Sequence, residues 1–101
     1  MKLYETLEKM KDTKDYDIEL LESMCEGLEG YMDMLEFKEP VSEDAYFRWM
    51  DKTAEINECY DALQELIMEP EKIDEKSFNE VFEKIDFYQN LYGGLKSIKI
   101  Y

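Results

Sequence analysis

The stretch E19-LLESMCEGLEGYMDMLE-F37 decides how this chain folds. Leu20, Leu21, Met24, Leu28, Tyr31, Met32 and Leu35 recur at alternating spacings of three and four, the period of an amphipathic helix. Placed on a wheel at about 100° per residue, Glu19, Glu22, Glu26, Glu29, Asp33 and Glu36 fall in one sector of about 100°. The centre of the apolar set lies about 145° away from that sector. Asp15 or Asp17, after the polar turn DTKD, can cap the start of this helix, which runs to about Lys38.

The same logic extends in both directions. Residues 2–11 form a short helix bearing Leu3, Leu7 and Met10. In KEPVSED (38–44), Pro40 disfavours helix at the residue before it, and Ser42 is a natural N-cap. A third helix spans about 43–68, with Tyr46, Trp49, Met50, Thr53, Ile56, Tyr60, Leu63 and Ile67 on one side; Pro70 stops it. Asp74 or Ser77 starts a fourth through Phe78, Val81, Phe82, Ile85, Tyr88 and Tyr92, and Gly93-Gly94 ends it. The tail LKSIKIY partly alternates and suits a short strand or an extended strap. The expected architecture is all-α: a four-helix bundle built on a long antiparallel helical hairpin, in one domain over 1–101.

Composition narrows the function classes. With 45% hydrophobic residues the chain can bury a core. No apolar run approaches the roughly 18 residues of a membrane span, and no signal-peptide pattern opens the sequence. Cys25 and Cys59 both lie inside periodic segments and read as buried free thiols in a reducing cytoplasm. Histidine is absent, which removes the commonest acid–base catalyst and the commonest metal ligand. The formal charge of −14 repels nucleic acid and anionic membrane and attracts basic protein surfaces.

The charge is concentrated. No basic residue occurs between Lys14 and Lys38, nor between Lys52 and Lys72. On the third helix Asp44, Asp51, Glu55, Glu58, Asp61, Glu65 and Glu69 make a second acidic stripe. A solvated polar face is the default explanation for such stripes. Yet successive like charges at i,i+3 or i,i+4 each cost roughly 0.2–0.5 kcal/mol. Five such pairs on the second helix cost about 1–2.5 kcal/mol, against a net stability of roughly 5–15 kcal/mol. Glu36 and Glu65 also sit in C-terminal turns, where the macrodipole disfavours anions. Interspersed lysines would reverse most of this cost, so their absence fits a field kept for binding as well as one kept for solubility. From Glu19 to Glu36 the stripe spans about 25 Å, one charge per ~5 Å. A single DNA strand carries one per about 3.4 Å.

Size, charge and lack of motifs together resemble the small acidic proteins by which phages block host defence, including DNA-mimic anti-restriction and anti-CRISPR inhibitors. The resemblance implies a non-enzymatic protein without cofactor or metal that occludes a basic, nucleic-acid-binding surface of a target. On that reading the contact residues are Glu19, Glu22, Glu26, Glu29, Asp33, Glu36, Asp51, Glu55, Glu58, Asp61 and Glu65. Direct nucleic-acid contact is not expected, because basic residues are few and scattered. A structural helical module, with or without a homodimer, is the bland alternative.

An enzyme reading rests on EGLE (Glu26, Glu29), EFKE (Glu36, Glu39) and ECYD (Glu58, Asp61). These resemble the carboxylate pairs of all-α nucleotide pyrophosphohydrolases, which hold Mg²⁺ against a triphosphate. Such spacings arise readily by chance among 26 acids. DYDIELLESMCE (15–26) has acids at EF-hand positions 1, 3, 5 and 12, but Leu20 stands where the loop needs glycine. Two features stay open. Gly27 and Gly30, with Ser23, lie between the apolar and acidic faces and suit close approach of a helix or protomer, or a kink. Phe37, Phe47 and Phe87 point away from the apolar sectors, as partner anchors or as residues covered by the terminal segments or a dimer.

Overall fold

The computed structural model describes residues 1–37 and 42–100. Four α-helices follow in order: α1 (Leu3–Thr13), α2 (Ile18–Phe37), α3 (Glu43–Met68) and α4 (Glu75–Tyr92). Short 3-10 turns occupy Pro70–Lys72 and Leu95–Ser97. No strand occurs among the described residues, which are overwhelmingly helical. The expected role of Pro40 and the end of the second helix at Lys38 lie outside the described residues.

Local chemistry sets the helix ends. Asp17 accepts from the Glu19 N–H at 2.9 Å and opens α2. Ser42 accepts from the Ala45 N–H at 3.3 Å and opens α3. Asp74 and Ser77 cap α4 reciprocally: the Ser77 N–H reaches Asp74 Oδ1 at 2.8 Å, and the Asp74 N–H reaches Ser77 Oγ at 3.0 Å. Those bonds hold the Asp74 carboxyl below its ordinary range. Pro70 begins its 3-10 turn where α3 stops. Gly93, at φ 75°, returns its N–H to the Gln89 carbonyl at 2.9 Å and closes α4.

Packing follows the apolar faces. α2 lies on α3, α3 on α4, and α1 on α4 and on the 95–97 turn. Leu3, Leu7, Leu21, Met24, Leu28, Ile56, Leu63, Phe78, Ile85, Tyr88 and Leu95 are fully buried. Near the start of α3, Trp49 Nε1 donates to the Leu35 carbonyl at 2.7 Å; further on, Tyr60 donates to the Glu29 carboxylate. Contacts thus step back along α2 as they advance along α3. Tyr31 and Tyr88 join their hydroxyls at 2.7 Å between α2 and α4.

Tyr46 and Met50, expected on the apolar side of the third helix, are instead exposed. The cause is a length mismatch. At about 1.5 Å per residue, the 26 residues of α3 run about 39 Å and the 18 of α4 only about 27 Å. The first turns of α3 therefore lack a cover from α4.

The described part of the tail, up to Ile100, forms no strand. Its single antiparallel bridge joins Lys99 to Lys2, with Leu3 N–H to Ile98 O and Ile100 N–H to Met1 O both at 2.9 Å. Leu95 and Ile100 bury into the core. Ile98 lies against Gly27, where an added Cβ would sit 2.9 Å from Ile98 Cγ2. Close approach is thus the reason for Gly27, and the approaching element is the chain's own tail. Gly94, at φ 93°, would place a Cβ 3.0 Å from the Tyr31 hydroxyl. Among the described residues, its own helix backbone aside, Gly30 has nothing within 4 Å of that position.

These environments predict opposite stability changes. Gly30→Ala should raise the free energy of unfolding by about 1 kcal/mol, the helix-propensity difference. Gly94→Ala should lower it by about 1 kcal/mol or more, since its φ is strained for any side chain and the space is filled. Urea midpoints of the two variants, at unchanged m-value, check both signs.

Candidate acidic binding surface

All six acids of the α2 stripe, Glu19, Glu22, Glu26, Glu29, Asp33 and Glu36, are exposed. They occupy the side opposite Leu21, Met24, Leu28 and Leu35, which are buried. On α3, Asp51, Glu58, Asp61 and Glu65 are exposed and Glu55 is half-buried; Asp44 and Glu69 are also exposed. Two salt bridges form among the described residues, Lys14–Glu75 at 3.3 Å and Lys72–Glu69 at 3.1 Å. Neither involves an acid of α2 or any of Asp51, Glu55, Glu58, Asp61 and Glu65. The last turns of α2 and α3 contain no basic residue to meet the helix dipole.

The eleven acids do not share one environment. Glu29 leans on α3, where its carboxylate accepts from Tyr60, itself bonded by Gln64 Nε2 at 2.8 Å. The Glu29 bond raises the Tyr60 phenol above its ordinary value, because deprotonation would set two anions together. Glu55 and Glu58 turn the other way. They line a groove of about 370 Å³ with Glu80, Glu83 and Lys84 of α4, floored by Cys59 and edged by Phe87. Glu65 lines a neighbouring groove of about 290 Å³ with Glu69, Glu80, Lys72 and Lys84.

The sequence reading missed Glu80 and Glu83, because α4 also bears Lys76 and Lys84 and shows no basic-free run. Only the packing of α4 on α3 brings these acids beside Glu55 and Glu58. The signal was the i,i+3 spacing of Glu80 and Glu83, with Phe87 one turn on. Phe37, Phe47 and Phe87 are 91%, 58% and 56% exposed, so the described parts of the terminal segments do not cover them.

Among the described residues the carboxylate pairs proposed for Mg²⁺ form no metal-binding cluster. Glu26, Glu29, Glu58 and Asp61 lie on exposed faces of two helices, and Glu39 is outside the described residues. Among the described residues no three Asp, Glu or Cys side chains stand close enough to hold a metal ion. Residues 18–26 are helical, so the EF-hand loop spacing has no loop to occupy.

Cys25 and Cys59 are buried free thiols. Burial, then the negative charges of Glu29, Glu22 and Glu26, push the Cys25 thiol up to about 11. Burial and Glu55 push Cys59 to about 12, and its Sγ donates to the Lys84 carbonyl at 3.5 Å. Neither thiol is poised as a nucleophile at neutral pH.

No family model matches the chain, and no curated protein or solved structure matches it.

The thiols give a pH prediction with a definite sign. A folded value above the ordinary 9 favours the protonated thiol in the native state. That contribution is fully present below pH 9 and is lost as pH rises from 9 towards 11–12. Thermal midpoints should therefore fall across that window, less steeply in Cys59→Ala. At pH 8 a thiol-specific reagent should leave native protein unmodified over minutes, since about one Cys25 in a thousand is ionised. Denatured protein should react at once.

Proposed function

We propose that this chain is a non-enzymatic acidic binding protein that occludes a basic, nucleic-acid-binding surface of a target protein. In this reading it is a phage-encoded inhibitor of the anti-restriction or anti-CRISPR kind, acting in the cytoplasm of a bacterial host. One observation carries the proposal. All six acids of the α2 stripe are exposed, face away from the core, and draw on no cation in the described salt bridges. A surface kept only for solubility gains from interspersed lysines, which remove like-charge repulsion at no loss of solvation.

The mechanism is electrostatic substitution. A row of carboxylates on a rigid helix offers charge at roughly the linear density of a nucleic-acid strand. The reading takes α2 and α3 as an antiparallel hairpin, so that its surface presents more than one row. Glu80 and Glu83 extend the acidic surface beyond the α3 stripe, beside Glu55 and Glu58. The target's Lys and Arg side chains would pair with these acids in place of phosphates, and catalysis plays no part. Long-range attraction speeds encounter and weakens as salt rises, because exposed charges are screened within about 8 Å at physiological ionic strength.

The test is a charge reversal that spares the fold. Glu22, Glu26, Asp33 and Glu36 replaced together by lysine leave the Tyr60–Glu29 hydrogen bond intact. This variant should lose the competition of the wild type with DNA for a basic nuclease groove, while its thermal midpoint stays equal or rises. Wild-type competition should itself decline steeply between low and physiological salt. Unchanged competition by the lysine variant would reduce the stripe to a solvated face. Hydrolysis of nucleoside triphosphates in millimolar Mg²⁺, abolished by Glu58→Gln with Asp61→Asn, would overturn the non-enzymatic reading.

A further inference from the structure

Lys52 is the one half-buried cation among the described residues; the other described lysines and Arg48 are exposed. It takes part in neither of the described salt bridges, in a chain that holds 26 acids against 12 basic residues. From α3 it lines the groove of about 610 Å³ that α2 and the segment just beyond α4 complete. Lys99 lines the same groove from the tail, also outside the described salt bridges, and Glu26 is the groove's single acid. The other three grooves described each carry more acids than cations. Between the two lysines the wall is apolar, formed by Tyr31, Met34, Leu35 and Ile98. Ser97 Oγ already donates to the Gly94 carbonyl at 3.0 Å, which leaves the two ammonium groups as the charged donors.

From this pairing of cations with an apolar wall we infer that the groove binds a small soluble amphipathic monoanion, an alkyl chain bearing one carboxylate. Its volume falls within the roughly 300–1,000 Å³ of small-molecule sites. The alkyl chain lies along Met34, Leu35, Ile98 and the stem of Lys52, since lysine stems cover apolar surface while their ammonium groups stay near water. The carboxylate is held by Lys52 and Lys99, through hydrogen bonds strengthened by charge on both partners. The field of the whole chain restricts the ligand further. At −14 it repels a polyanion such as a nucleoside triphosphate, whereas a single charge on an apolar body draws most of its binding from burial. A cation gains more from the exposed acidic stripes than from a groove with two lysines. The inference stands apart from the inhibitor reading, whose α2 stripe shares only Glu26 with this groove.

The probe is dodecanoate, titrated into the full chain below its micelle concentration, with dodecanol, acetate and dodecyltrimethylammonium as controls. Trp49, the chain's one tryptophan, donates to the carbonyl of the groove residue Leu35 at 2.7 Å, so its fluorescence reports occupancy beside calorimetry. Dodecanoate should bind one to one, at least about tenfold more tightly than dodecanol, and acetate should give no signal. Lys52→Gln should weaken binding by about tenfold or more with an unchanged thermal midpoint, and Lys52→Arg should restore it. Gly30 also lines the groove, and among the described residues, its own helix backbone aside, nothing lies within 4 Å of a Cβ there. Gly30→Phe should therefore block dodecanoate without lowering the thermal midpoint. Dodecanol bound as tightly as dodecanoate, full binding by Lys52→Gln, or tighter binding of dodecyltrimethylammonium would overturn the site. Sedimentation with phosphatidylglycerol vesicles, lost in Lys52→Gln, would overturn the soluble ligand by making a membrane surface the source of the anion.

Discussion

Removal of one apolar seam from water underwrites the charged exterior of this protein. Leu21, Met24 and Leu28 of α2, Ile56 and Leu63 of α3, and Phe78, Ile85 and Tyr88 of α4 are each fully buried. Burying a single side chain of this size stabilises by about 1.5–3 kcal/mol. The repulsion along the α2 stripe, about 1–2.5 kcal/mol by pairwise estimates, is therefore within the reach of one well-packed leucine. That comparison explains how two long helices tolerate acids every three or four residues. It also fixes the direction of the acids, since any rotation that buried a carboxylate would cost far more than the repulsion it relieved.

Tyrosine hydroxyls tie the layers together where apolar packing alone would leave register loose. Tyr31 meets Tyr88 between α2 and α4, Tyr60 meets Glu29 between α3 and α2, and Tyr4 meets Asp86 between α1 and α4. Each places an apolar ring inside or at the edge of the core and a polar tip on a defined partner. The bond from Trp49 to the Leu35 carbonyl does the same near the end of α2. Such directional contacts suit a rigid charged surface, because a binding face built on helices holds its geometry better than one built on loops.

The same architecture forms a groove where α4 ends. α4 ends at Gly93 and Gly94 while α3 continues, and the groove beyond exposes Met34 beside the open backbone of Gly30. The acidic stripe and this groove border each other on α2.

What the sequence determined by itself is what short-range rules govern. The cap at Ser42, the caps narrowed to Asp15 or Asp17 and to Asp74 or Ser77, the stop at Gly93, the four helical periods and the outward turn of the α2 acids all follow from residues within a few positions of each other. The tertiary structure decided what depends on residues distant in the chain. It seated Ile98 on Gly27, exposed Tyr46 and Met50 where α4 falls short, and gathered Glu80 and Glu83 beside Glu55 and Glu58. The physical reason is that periodicity gives the direction of a side chain around its own helix. It says nothing of which neighbour stands there, because that depends on relative helix lengths and on where the chain ends return.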